Sequence, residues 1–289
     1  MYADAEDLLT EKLKKLQAGK LQPASSPGQL EFESLAAKTS ARLGVGHAGT
    51  RYRTATMLAF QADHAAAVDA VTSEVPDSFI RDNDLVAVQT QCSGKEMYIT
   101  RPDLGKRLCR DSIQTVNDCC RRHPDIQIII GDGLSAAAVQ TNAVPVMEMV
   151  TENARRLGLT VGTPVFVHYA RVAVLNEIGR ITGADVVVHL IGERPGLATD
   201  KSLSAYVSYR PDIGTPESHW NCVSNIHDRG TPPVKAAAMI LELAEQMMIQ
   251  KTSGTALTLP SETNSRLLPV QDAEPVPEEQ KQITSSITG

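Results

Sequence analysis

Between Asp84 and Gly254 the chain alternates two apolar patterns. Short blocks rich in β-branched residues predict strands over 85–91 (LVAVQTQ), 126–130 (IQIII), 164–169 (PVFVHY), 185–191 (DVVVHLI) and 205–209 (AYVSY). The stretches between them, near 110–123, 135–157, 171–182 and 232–249, carry helical spacing. Strand and helix in turn predict an α/β fold, a Rossmann-like sheet flanked by helices. Pro145 should break or kink the second helix, because proline lacks the N–H that an interior turn donates. The last helix is the best bounded, with Thr231 as N-cap, Pro232 in the first turn, a face of Ile240, Leu243, Ala244 and Met247, and Gly254 as the stop.

Outside this block the pattern changes, and four regions follow. Residues 1–28 comprise a short amphipathic helix over 5–17, with Leu8, Leu9, Leu13 and Leu16 near one face, and a Pro/Ser/Gly linker. Residues 29–76 read as a small helical N-terminal domain around the loop LGVGHAGTR, Leu43 to Arg51, expected to join two helices. The exit helix, marked by Leu58, Phe60, Ala62, Ala65 and Ala66, lasts to about Val71. Residues 77–254 form the α/β domain. Residues 255–289, with four prolines and many Ser, Thr and Glu, read as a disordered tail.

A chain of 289 residues with 42% hydrophobic content can bury a core. No apolar run approaches the roughly 20 residues of a membrane span, and MYADAEDLLTEK lacks the marks of a secretory signal, so a cytoplasmic protein is expected. Cys92, Cys109, Cys119, Cys120 and Cys222 make an odd set without C-x-x-C spacing, which points away from a disulfide framework or a structural zinc. The net charge of −6 and only four Phe, six Tyr and one Trp argue against general nucleic-acid binding.

Two loops match dinucleotide-binding spacing. Gly44, Gly46 and Gly49 lack an entering strand, which makes that loop structural. Gly131, Gly133 and Ala136 follow a strand, and Ser135 can cap the next helix, so a phosphate-bearing ligand fits there. No acidic residue follows the next strand to hold a ribose, and NAD is disfavoured. In an open α/β sheet ligands gather beyond the carboxyl ends of the strands. The segments to weigh are therefore GDGLS, ARV at Ala170–Val172 and GERPG at Gly192–Gly196. TRPDLGKR, Thr100–Arg107, reads as a helix approach with solvated charges. Asn225, His227 and Gly230 fall at the D-x-H-x-x-G spacing of a cobalt-ligating histidine, but Asn stands where the carboxylate partner should be. A loop histidine bonded to its neighbours is the better reading, and His64 is an ordinary helix residue.

Taken in order, GVGHAGTRYRT, TRPDLGKRL, GDGLSA, VGTPVFVHYARV, GERPGL and SNIHDRGTPP resemble the small (light) subunits of ethanolamine ammonia-lyase, over about Leu43 to Gly254. The resemblance implies an adenosylcobalamin-dependent ammonia-lyase that converts ethanolamine to acetaldehyde and ammonia by a radical route. It also implies a hetero-oligomer with a large subunit, a TIM barrel that holds the substrate. The small subunit then holds the lower side of the cobalamin, with the cofactor's own base kept on cobalt. The cofactor contacts it implies are Val172, Glu193 and Cys222, with Asp132, Gly133 and Ser135 as weaker candidates, and no catalytic residue or protein metal ligand on this chain. A nucleotide-dependent α/β enzyme using GDGLSA and a non-catalytic adaptor stay open as alternatives. The terminal segments raise packaging by microcompartment shell proteins as a further expectation.

Overall fold

The two most apolar strand blocks become the centre of the sheet, because a strand covered on both faces is apolar without alternation. A computed structural model of the chain describes residues 42–259 together with Leu35 and Thr39. Contacts divide the chain into Met1–Thr258 and Leu259–Gly289, and the architecture below is that of the first unit. The helix expected over 5–17, the linker and nearly all of the tail lie outside the described residues.

The elements in chain order are a hairpin of β1 (His47–Ala48) and β2 (Arg51–Tyr52), α1 (Thr54–Thr72), α2 (Asp77–Asp82), β3 (Val86–Gln89), α3 (Lys95–Thr100), α4 (Arg110–Cys119) and β4 (Ile126–Gly131). There follow α5 (Ala136–Ala138), a π-helical turn (Val139–Ala143), α6 (Val144–Arg156), β5 (Val165–His168), α7 (Val174–Thr182), β6 (Val186–Gly192), β7 (Leu203–Tyr209), β8 (Asn221–Ile226) and α8 (Pro233–Gln250). The main sheet has six strands in the order β3-β5-β4-β6-β7-β8. The first four are mutually parallel, and β7 runs antiparallel to both neighbours. In the dinucleotide-binding order 3-2-1-4 the first strand is central. Here β3 lies at the edge.

All residues of β4 and β6 are buried. On one face α4 and α7 pack together over Val88, Ile129, Val165, Val167, Val187 and Ile191. On the other α6 packs against α8. Each fully buried Ile or Val contributes about 1.5–3 kcal/mol relative to exposure, so this double cover is the main stabilising term.

Several expectations are corrected. LGVGHAGTR is not a bare loop between helices. It folds into the β1–β2 hairpin, whose two-residue turn uses Gly49 at φ 64, a value glycine adopts without a Cβ clash. Pro145 marks the expected interruption, since the helical run is divided into α5, the π turn and α6. The π turn just before it absorbs the missing donor, and Pro145 sits in the first turn of α6, where no intrahelical partner is needed. The last helix is capped by Pro232, not Thr231, and no side chain caps it. Gly254 comes after the helix has closed at Lys251, and its N–H donates to Asn221 Oδ1 at 2.6 Å. Strand β8 was not expected. Its inward residues, Val223 and Ile226, are three apart, because the ladder with β7 shifts register between Leu203 and Ala205.

Candidate functional site

The carboxyl ends of β4, β5 and β6 come together, and the loop after β4 braces the one after β5. Both oxygens of Asp132 accept backbone N–H groups there, from Tyr169 at 2.7 Å and Ala170 at 2.9 Å. Tyr169 has φ 59, a conformation unfavourable for an aromatic residue, and the Asp132 bond helps hold it. Asp132 is only 2% exposed. Burial pushes its carboxyl above the ordinary value, against the pull of the two amides and Lys95.

Gly133 and Ser135 also face inward. A Cβ on Gly133, which has φ 58, would lie 2.2 Å from the carbonyl oxygen of Gly192. Leu134 N–H donates to that same oxygen at 3.0 Å. The bare face of this glycine thus packs on the end of β6. Ser135 is fully buried, caps α5 by accepting from Ala138 N–H at 3.0 Å, and bonds the carbonyl of Asp200.

The three principal candidates are differently placed. Val172 is half-buried against the α4/α7 core. Its carbonyl oxygen lies 3.2 Å from His189 Nδ1, on β6. His189 is fully buried, and burial pushes its pKa down to about 4, so the ring is neutral with Nδ1–H donating to Val172.

Glu193, at the end of β6, gathers three donors. Oε1 accepts from Ser204 Oγ and from Asn225 N–H at 3.0 Å, and Oε2 accepts from Ser202 Oγ at 2.8 Å. Burial opposes its charge, but these hydrogen bonds and nearby His227 outweigh it and hold the carboxyl below its ordinary value. Cys222 sits on β8 opposite Tyr206, with Sγ 3.9 Å from Ser204 Oγ. Burial of the thiol outweighs its hydrogen bonds to Ser204 and Tyr206 and raises its pKa, so it stays neutral near pH 7.

Val172 and Glu193 line one concavity of about 370 Å³ with Tyr98, Leu134, Arg171, Arg194, Ser204 and Tyr206. Cys222 reaches it through Ser204 and Tyr206. A larger depression of about 530 Å³, lined by His123, Arg180, Asp185 and Arg210, lies by the amino end of β6. Its charges pair with one another, Arg210 with Asp185 and Arg180 with Asp212, which leaves little for a ligand.

His227 has both ring nitrogens engaged in its own loop. Nδ1 accepts from Arg229 N–H at 3.2 Å, which places the proton on Nε2 for donation to Asn225 Oδ1 at 2.8 Å. Asn225 itself has φ 59, a left-handed position that asparagine tolerates better than most residues.

Sequence reasoning missed Tyr98, Ser204 and Tyr206, and weighed Arg171 only as part of a strand end. Tyr98 is 1% exposed, donates its hydroxyl to Ala170 O at 2.9 Å, and carries the Arg171 guanidinium 4.2 Å above its ring. It lies on α3, six residues long, too short to show helical spacing. Ser204 falls one residue before the strand expected over 205–209, and Tyr206, inside it, was weighed only as a strand residue. TRPDLGKR is more than a helix approach: Gly105 O accepts from Arg171 N–H at 2.8 Å and holds the ARV turn.

The model of the family described as ethanolamine ammonia-lyase light chain (EutC) matches residues 29–258. The chain belongs to this family. It is 45% identical over 235 residues to the ethanolamine ammonia-lyase small subunit of Clostridium perfringens, covering 81% of this chain and 79% of that one. With the Fusobacterium nucleatum small subunit identity is 41% over 254 residues, 88% of this chain and 85% of the relative. With that of Lachnoclostridium phytofermentans it is 44% over 227 residues, 78% and 77%. The ethanolamine ammonia-lyase light-chain match contains every residue of the concavity.

Proposed function

We propose that this chain is the small subunit of an adenosylcobalamin-dependent ethanolamine ammonia-lyase, a lyase of ethanolamine breakdown that forms acetaldehyde and ammonia with a large subunit. In this reading the Rossmann-like α/β domain, 77–254, holds one side of the cofactor where the subunits meet. When bound, adenosylcobalamin supplies the radical that starts the reaction, and the large subunit positions the substrate.

The observation that carries the reading is the meeting of Val172 and Glu193, from two strand ends, in one concavity, with Cys222 touching its Ser204 from β8, in a member of this family. Val172 offers apolar surface to a bulky ring system. Glu193 is fixed by three donors and, with about four lone-pair positions on a carboxylate, keeps room for one more donor such as a peripheral amide. The neutral thiol of Cys222 permits close approach without adding charge. With both ring nitrogens of His227 engaged, the arrangement supports a cofactor that keeps its own base on cobalt. No comparable feature favours a nucleotide, since the bare face of Gly133 is filled by Gly192.

The test is reconstitution. Purified chain with adenosylcobalamin and ethanolamine should give no acetaldehyde until the large subunit is added. Turnover by the chain alone would defeat the subunit assignment. Residues 1–28 and 255–289 are proposed as appendages to the helical 29–76 region and the α/β domain of a cytoplasmic protein, with 1–17 docking to microcompartment shell proteins. Deleting 1–17 should lower co-sedimentation with shell proteins and leave turnover intact. Unchanged co-sedimentation rejects that role.

A further inference from the structure

Two arginines line the concavity, and neither has a carboxylate partner among the described residues. Arg171 lies over Tyr98, and its Nη2 donates to Tyr98 O at 2.8 Å. Its Nε is buried without any hydrogen-bond partner, and Nη1 makes no hydrogen bond among the described residues. A guanidinium cannot shed its charge by losing a proton, so this desolvation is not relieved by any of the described residues. Arg194, exposed on the same rim, is likewise without an ion pair among the described residues. The carboxylate lining the concavity, Glu193, already accepts from Ser202, Ser204 and Asn225 N–H. Asp132, the next carboxylate, is turned away onto Tyr169 and Ala170. Two guanidiniums line the cavity with one carboxylate, which pairs with neither of them, so the concavity carries an excess of positive charge suited to an anion with oxygen acceptors, the group arginine binds best.

We propose that Arg171 and Arg194 form an anion subsite that takes a phosphodiester, the single fixed negative charge in the nucleotide tail of a cobalamin. The inference rests on the cobalamin reading and deepens it: Val172 and Glu193 meet the ring system, and the arginines meet the tail. Nη1 of Arg171 and the exposed head of Arg194 supply the donors, while the stack on Tyr98 keeps Arg171 in place.

The test uses the assembled two-subunit enzyme and two ligands, hydroxocobalamin and dicyanocobinamide, the second lacking the nucleotide and its phosphodiester. Dissociation constants come from absorbance titration. Arg171→Gln and Arg194→Gln should each weaken hydroxocobalamin about tenfold, as for a lost charge-assisted hydrogen bond, and leave cobinamide within about twofold. The phosphorus-31 resonance of bound hydroxocobalamin should move in both variants. Arg194 is exposed and makes no ion pair among the described residues, so its variant keeps the test decisive even if Arg171→Gln fails to assemble. Equal weakening of both ligands, or of neither, overturns the subsite while leaving the cobalamin reading intact. Failure of the unaltered enzyme to bind either corrinoid overturns that reading itself.

Discussion

Two strand ends read almost alike in sequence, GDG after β4 and GER after β6, and the folded molecule uses their acids in opposite ways. Asp132 is sealed in and spends both oxygens on the backbone of the neighbouring loop. Glu193 is half-buried at a cavity, takes two hydroxyls and one amide, and keeps room for a ligand. The first acid shapes the loop that bears Val172, and the second lines the concavity that this loop borders. An acid beyond a strand is therefore a site residue only when its neighbours leave some of it unused.

The comparison breaks most visibly at Asp132. Asp132→Ala should cost about 3 kcal/mol or more of unfolding free energy, because two charge-assisted bonds vanish and two buried N–H groups lose their acceptor. Urea denaturation checks it, and Asp132→Asn should rescue only in part, since an amide offers one oxygen where two donors converge. A loss below about 1 kcal/mol would deny Asp132 its bracing role.

Glu193→Ala should act on affinity more than on the fold. Water can reach its donors once the carboxylate is gone, so stability should fall by about 1 kcal/mol, while the cobalamin dissociation constant of the assembled enzyme rises about two- to tenfold. An unchanged constant would return GERPG to a structural turn.

Acid titration sharpens the contrast, because the two carboxyls shift in opposite directions. Glu193 is held below its ordinary value, so its contribution is complete above the unfolded value near 4.5 and is lost as pH falls through the lower folded value. Asp132 is raised by burial, so protonation below its folded value relieves the folded state relative to the unfolded one. Glu193→Gln should flatten the acid limb of stability measured from about pH 6 to about pH 3. A limb as steep as before would place the titrating group elsewhere.

Cys222→Ser should be the mildest change, within about 0.5 kcal/mol in stability and about twofold in cofactor affinity, since size is nearly kept and the thiol is already neutral. A larger loss of affinity would give the sulfur a direct part in binding.

Local patterning made much of this protein legible. DVVVHLI and IQIII announce central strands because cover on both faces demands continuous apolar side chains. The ordered motifs from GVGHAGTRYRT to SNIHDRGTPP were enough to place the chain in its family, and the resemblance they carry nominated Val172, Glu193 and Cys222 as candidate cofactor contacts. Local rules failed where the register shift opposite Leu203 hid β8 from period-two reading, and where α3 was too short to show a period.

What the sequence determined by itself is the set of elements and the family, because hydrophobic period and motif order are local properties. What only the tertiary structure decided is how each polar group at the strand ends is used. The sheet order sets Asp132 beside an amide 37 positions away and Glu193 beside one 32 positions away, and it leaves Arg171 without a carboxylate partner among the described residues. Hydrogen-bond partners and desolvation are fixed by neighbours remote along the chain, and they separate a strut from a binding group.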